Sequence, residues 1–415
     1  MRLLRVLSST SILLMLLYGR FTAGGPLPDG SQEHAGQESN SVGVPIRSTD
    51  SLYLGNGDPN KVLRMEFSLS TLTSNLSSFE LRTFDPEGII FYGYIGEDNW
   101  FVLGIRDHRL EVQMSNNNGQ MVLSKWGPDI SDGKWRKITV DSTINTIEVR
   151  VNGEIVVMLT HHVKNDVVAP DHATLDIILG DLPANRVNQL LRPMLPSLDA
   201  CMRNWAWVKK NTYALDTAME TDENRRCFER EEKGAFFPAH GFAIFKPATL
   251  PPQDSLAWHL SIRLVFRVVE DGGDILALRG AGNFSALTIS LDNQNQALKI
   301  SLLDKLDRSV TFPEGVSFKE ENVVHIQIES SGIVVETAVE THSIDIPATD
   351  FKALEDVWRD PDAYVSVGSI AGHLDEGTSF SGCLEVSLQG TKIDLDSAQY
   401  KHPHVRSHSC PVAKK

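Results

Sequence analysis

Apolar residues recur at every second position in short runs, and this period limits the possible folds more than any other feature of the chain. M-E-F-S-L-S (65–70), F-E-L-R-T-F (79–84) and I-E-V-R-V (147–151) each place their apolar side chains on one face of an extended segment. Turn chemistry separates the runs. Asp85-Pro86-Glu87-Gly88 sets Pro at the second and Gly at the fourth turn position, while Asn118-Gly119 and Asn152-Gly153 suit tight hairpins. Convincing long amphipathic helices are few. Alternation cut by turns predicts an all-β chain.

At 415 residues the chain exceeds one ordinary core, which implies two domains plus tails. A weak internal repeat supports two copies of one fold. I-I-F-Y-G (89–93) matches I-L-A-L-R-G (275–280), and W-F-V-L-G-I-R-D (100–107) resembles A-L-T-I-S-L-D (286–292). L-D-A-C-M (198–202) aligns with F-S-G-C-L (380–384), and all offsets lie between 182 and 187 residues. The two expected sandwiches are residues 51–210 and 241–412. Between them, 211–240 is the expected link, where N-R-R-C-F-E-R-E-E-K-G breaks the strand pattern.

Residues 1–23 read as a secretory signal. Arg2 and Arg5 supply charge, Ile12 to Leu17 an apolar run, and Thr22-Ala23-Gly24 a cleavage zone. Residues 24–50 are polar and rich in Gly, Pro and Ser, the composition of a flexible arm. No later apolar run is long enough to span a bilayer, so a secreted protein without membrane insertion is expected. Loss of the signal removes three arginines and no acids, moving the net charge from −15 to −18. Such a chain repels phosphate backbones, which excludes nucleic acid as a partner. Four cysteines in an oxidising compartment imply disulfides with three possible connectivities. The spacings of 26 and 27 residues favour Cys201 with Cys227 and Cys383 with Cys410.

No metalloprotease, nucleophile-elbow or phosphate-loop motif occurs, so an enzyme is not expected and no cofactor is required. Asp85 and Glu87 offer hard oxygens on a turn, which suit calcium, although the same residue types also make an ordinary solvated turn. Two glycosylation sequons begin at Asn75 and Asn283, each beside an expected strand.

F-E-L-R-T-F-D-P-E-G-I-I-F-Y-G, then D-N-W-F-V-L-G-I-R-D and D-G-K-W (132–135), resembles laminin G-like domains, which are jelly-roll sandwiches. Signal, short arm, two such domains and one late disulfide in each are together similar to the sex hormone-binding globulin family. The resemblance implies a homodimeric plasma carrier of androgens and oestrogens, with the steroid held in the first domain. A steroid is an apolar plate with one polar group at each end, so its site needs an apolar slot and a few hydrogen-bonding side chains. The resemblance puts Ser77 at the ring-A oxygen and Asn99 with Asn116 at the 17-hydroxyl. It makes Phe101, Val140 and Leu175 apolar walls. Asn99 stands where the family usually has an acid. Asp98 is the neighbouring candidate, but a one-residue shift on a strand points it to the other face. The family's cation site maps to Asp85, Glu87 and a carbonyl near Ser197, which implies a possible structural calcium. For zinc, His172 matches one ligand, but Asn99 and Asn117 replace the others, so zinc is not predicted. A second class stays open: the receptor-binding or adhesion pair that ends vitamin K-dependent protein S and the growth-arrest-specific proteins. Those chains carry Cys-dense modules before the pair, whereas no Cys precedes Cys201 here.

Overall fold

The computed structural model describes residues 45–413 apart from 56–61, 73, 117–118, 125–126, 143–145, 161–172, 184–185, 187–188, 211–212, 251–256, 271, 293–296, 304–305, 312–319 and 370–378. The expected signal peptide lies outside the described residues.

The first half contributes β1 (Arg47–Tyr53), β2 (Leu63–Ser68), β3 (Leu76–Thr83), β4 (Gly88–Ile95), β5 (Asn99–Arg106) and β6 (Arg109–Asn116). It continues with β7 (Gly119–Ser124), β8 (Arg136–Ser142), β9 (Thr146–Val151), β10 (Glu154–Thr160), β11 (Thr174–Leu179), β12 (Ala200–Ala206) and β13 (Arg226–Phe228). Two antiparallel sheets result, ordered β10-β9-β8-β3-β12-β1-β13 and β2-β11-β4-β5-β6-β7. Alternation decides which side chains enter the core. Ser77, Phe79 and Leu81 of β3 are buried, while Leu76, Ser78 and Glu80 are only half-buried. Across the core Phe79 meets Phe91 edge-on at 6.4 Å.

The second half contributes β14 (Glu231–Lys233), β15 (Phe236–Phe237), β16 (Phe242–Phe245), β17 (Leu260–Val268), β18 (Asp274–Arg279) and β19 (Ser285–Asp292). Then come β20 (Ala297–Leu302), β21 (Leu306–Thr311), β22 (Asn322–Glu329), β23 (Gly332–Thr337), β24 (Thr341–Ile344) and β25 (Tyr364–Gly368). Last are β26 (Gly382–Leu388), β27 (Thr391–Lys392), β28 (Tyr400–Lys401) and β29 (Ser409–Pro411). Their sheets run β15-β26-β17-β22-β23-β24 and β21-β20-β19-β18-β25-β16-β28, around a second core. Strand for strand, this repeats the first sandwich: β3 corresponds to β17, β12 to β26, and β4 and β5 to β18 and β19. The register agrees as well. Arg82 pairs with Cys201 on β3 and β12, and Arg267 pairs with Cys383 on β17 and β26.

The disulfides are Cys201–Cys227 and Cys383–Cys410, with Cα atoms 6.0 and 5.9 Å apart. Residues 47–50, read from sequence as arm, belong to β1, where their backbone pairs with β13. Their side chains are polar and half-exposed or exposed, so no apolar alternation marks this start of the strand. Residues 211–240 carry α1 (Tyr213–Thr221), β13, β14 and β15.

The C-terminal tail binds the sandwiches together. β29 pairs with β14, and the Arg406 guanidinium lies 3.9 Å from the ring centres of both Tyr53 and Phe228. Glu231 is buried between Arg406 at 3.2 Å and Arg82 at 2.9 Å. The buried Asp199 carboxylate accepts from the amides of His408 and Ser409 and from the Ser409 hydroxyl.

Candidate functional site

The residues singled out from the sequence gather at two opposite ends of the first sandwich. β3 ends at Thr83, the chain crosses to the facing sheet through Asp85 to Glu87, and β4 begins at Gly88. Ile95, at the far end of β4, sits opposite Asn99. Ser77 and Asn99 therefore share the end away from the crossing, about 20 Å from it along β3.

At that end, parity sets which side chains face inward. Asn99 shares its face of β5 with Phe101, which packs on Phe91 at 5.6 Å inside the core. Val140 pairs with Ser77, Leu175 pairs with the buried Phe67, and both are fully buried. The register that sets Trp100 opposite Ser115 brings the Asn116 backbone beside Asn99. Ser77 is 3% exposed, and its Oγ accepts the Val208 amide hydrogen at 2.9 Å. One lone pair is thereby used, and the hydroxyl hydrogen is left for another acceptor. Asn99 Oδ1 is buried and has no hydrogen-bond partner. An unpaired buried acceptor of this kind costs about 1–3 kcal/mol. Asn75, the first sequon, is 8% exposed. Asn283 lies in a short turn between β18 and β19, beside the exposed Phe284.

The crossing end is ionic. Asp85 is buried, and its carboxylate accepts from the amides of Glu87 at 3.1 Å and Asp199 at 2.9 Å. Its own carbonyl accepts the Ser131 hydroxyl. Burial pushes Asp85 up to about 7, partly countered by His408, whose Nε2 lies 3.5 Å away. Gly88 is required here, because a Cβ would stand 2.6 Å from the Ser197 carbonyl oxygen. Asp85, Ser197, Asp199 and Asp396 line a chamber of about 10 Å³, room for one ion or water. Asp396 comes from the second sandwich and bonds both Lys401 and His408 at 2.6 and 2.7 Å. Burial raises Asp396, but His408 and Lys401 outweigh it and hold the carboxyl well below the usual range. Burial lowers His408, but the bond to Asp396 and the charge of Asp85 outweigh it and hold the imidazole above its ordinary value. The carboxylates of Asp85 and Asp396 and the Ser197 carbonyl are hard oxygens of the kind calcium takes, while Lys401, which also lines the chamber, and His408 engage both oxygens of Asp396. Glu87 is turned instead toward Arg106 at 3.3 Å and the Leu195 amide at 3.4 Å.

Sequence reasoning missed Asp396, Asp199 and the Trp207–Val208 pair. N-W-A-W-V-K-K (204–210) holds two tryptophans just after Cys201, the one local hint of the last. His172 and Asn117 lie outside the described residues.

These sheets and their two ends define a tandem pair of laminin G-like sandwiches. A family model for the Laminin G domain matches residues 81–212. The LG4-5 domains of the mouse laminin alpha1 chain superpose with a TM-score of 0.57 over 94% of this chain and 100% of theirs, at 17% identity, a likeness of fold. Human sex hormone-binding globulin is 30% identical over 365 residues, covering 87% of this chain and 86% of that protein. The Phodopus sungorus globulin is 29% identical over 383 residues, covering 91% and 92%. Growth arrest-specific protein 6 of Mus musculus is 28% identical over 388 residues, 88% of this chain but 56% of that protein's length. The chain belongs to the sex hormone-binding globulin family. The globulins among its relatives are, by name, binding proteins.

Proposed function

We propose that the protein is a secreted carrier of sex steroids, androgens and oestrogens, bound between the sheets of the first sandwich. The observation that carries this reading is the buried, unpartnered Oδ1 of Asn99 on the inner face, at the same end as the Ser77 hydroxyl. A steroid hydroxyl donating to Asn99, and a ring-A oxygen accepting from Ser77, would satisfy both groups. Phe101, Val140 and Leu175 supply apolar walls. In this reading Asn116 joins Asn99 at the hydroxyl, the carrier works in plasma as a homodimer, and a calcium ion sits between Asp85, Ser197 and Asp396. No helix among the described residues is long and apolar enough to cross a membrane, which accords with a secreted product.

The test is equilibrium binding of tritiated testosterone and oestradiol to the whole disulfide-bonded chain, with and without calcium. Saturable nanomolar binding is expected, and Asn99→Asp should change the ranking of the two steroids. Folded protein with no saturable binding would reject the carrier. It would favour the second reading, a receptor-binding or adhesion pair, which the likeness to growth arrest-specific protein 6 supports.

A further inference from the structure

We infer that Trp207 is a ligand-contacting residue of the first sandwich, whose indole N–H donates to the carbonyl-type oxygen that Ser77 also meets. The inference rests on the carrier reading and adds a selectivity device to it: the turn Trp207–Lys210.

Beyond the β12 irregularity, Ala206 pairs with Ser78, which sets Trp207 opposite Ser77. Trp207 and Lys210 then close a tight turn, with amide-to-carbonyl bonds of 3.1 and 2.8 Å in the two directions. Its two central residues, Val208 and Lys209, have φ of 47° and 58°. A β-branched residue is strongly disfavoured in this left-handed region. The turn is nevertheless clasped to β3. Val208 N–H bonds Ser77 Oγ and Lys209 N–H bonds the Leu76 carbonyl, both at 2.9 Å. Backbone strain of about 1–3 kcal/mol persists only where surrounding contacts hold it, and such strain concentrates at ligand sites.

Val208 occupies one lone pair of the Ser77 oxygen, and the hydroxyl hydrogen is left to donate. Trp207 is fully buried, lies flat against Phe79 at 5.3 Å and 22°, and stands edge-on to Phe91 at 5.3 Å. Its Nε1 is buried and has no acceptor. Buried indole N–H groups ordinarily find a partner. Two unused donors at one end call for a ligand that presents an acceptor there.

The second sandwich serves as an internal control. Ile262 and Leu388 occupy the positions of Ser77 and Trp207 and pair with each other. Both are buried and apolar, and the turn after Leu388 places Gly390 at φ 75° where the first sandwich has Lys209. At these positions the same architecture therefore closes with two apolar side chains, and the left-handed φ of 52° falls on Gln389, which is not β-branched, where the first sandwich has Val208. The juxtaposition of a buried serine and a buried, unpartnered indole at this turn is thus confined to the first sandwich, while the second buries an unpartnered indole elsewhere, at Trp258.

The test compares Trp207→Phe with the unmodified full-length chain. Phe keeps the stacking and removes the N–H. Affinity is measured for testosterone and for the matched 17β-hydroxysteroid lacking the ring-A ketone. Testosterone should bind about three- to tenfold more weakly to the variant, while the deoxy ligand is unchanged. Equal loss for both ligands, or loss for neither, overturns the inference. If Trp207→Phe fails to fold, the indole ¹⁵N–H resonances of the unmodified chain decide. One should move downfield with the ketone ligand and stay in place with the deoxy ligand, and identical spectra overturn the proposal. Failure of the unmodified chain to bind either steroid would instead reject the carrier reading.

Discussion

In the first sandwich, the end away from the crossing turn buries Ser77, the Asn99 carbonyl oxygen and the Trp207 indole. In the second, the positions of Ser77 and Trp207 hold Ile262 and Leu388, packed in a continuous apolar core. Both halves keep the late disulfide and the arginine beside it: Arg82 Nη2 is 3.9 Å from Cys201 Sγ, and Arg267 Nη2 is 3.3 Å from Cys383 Sγ. The shared parts thus build the sandwich, while the differing parts cost stability. Local violations of packing rules that serve no structural end point to function.

Breaking the seam between the halves is expected to have the largest effect. Arg406→Ala leaves Glu231 buried beside Arg82 alone and removes a cation from between Tyr53 and Phe228. A loss of about 3–5 kcal/mol in denaturant unfolding is expected, since an uncompensated buried charge remains. A loss below 1 kcal/mol would mean that the halves are energetically independent.

The next effect removes the contrast itself. Ser77→Ile with Trp207→Leu writes the second sandwich into the first, and testosterone affinity should fall by about a hundredfold as two donors vanish. Near-UV circular dichroism should still report a folded core. Retained affinity would show that the polar end is not the site. The smallest effect concerns the two turns. Lys209→Gly should stabilise and Gly390→Lys destabilise, each by about 0.5–1 kcal/mol, because only glycine adopts the left-handed backbone without strain. Thermal midpoints moving the other way would remove strain from the account of the first turn.

Much of the fold was legible because alternation is a local property. Phe79 and Leu81 reveal the inner face of β3, and the same parity carries Ser77 inward. The start of β1 was not legible, because R-S-T-D at 47–50 forms a strand by backbone pairing with β13 and shows no apolar alternation. At the site, Ser77, Asn99 and Phe101 were named from the resemblance to the family, since the burial of β5 shows no alternation that would single out Asn99 or Phe101. Trp207 was not named, since its nearness to Ser77 depends on a pairing across 131 residues and an irregularity in β12. Asp396 was beyond reach for a stronger reason. It joins Asp85 only where two separately patterned halves meet, and no local pattern encodes that contact.

The tail that fills the seam also has a consequence for the order of synthesis. The last strand of the first sandwich ends at Phe228, yet the Asp199 carboxylate takes hydrogen bonds from His408 and Ser409, and Glu231, already beside Arg82, gains its second arginine in Arg406. A nascent chain can therefore complete its first sheets while Asp199 lacks these partners and Glu231 has Arg82 as its one arginine. The last contacts of both groups form only when nearly the whole polypeptide has left the ribosome. A chain ending at Lys401 would lack Arg406, His408, Ser409 and Cys410 and would stay in that unfinished condition, with every strand of the first sandwich intact.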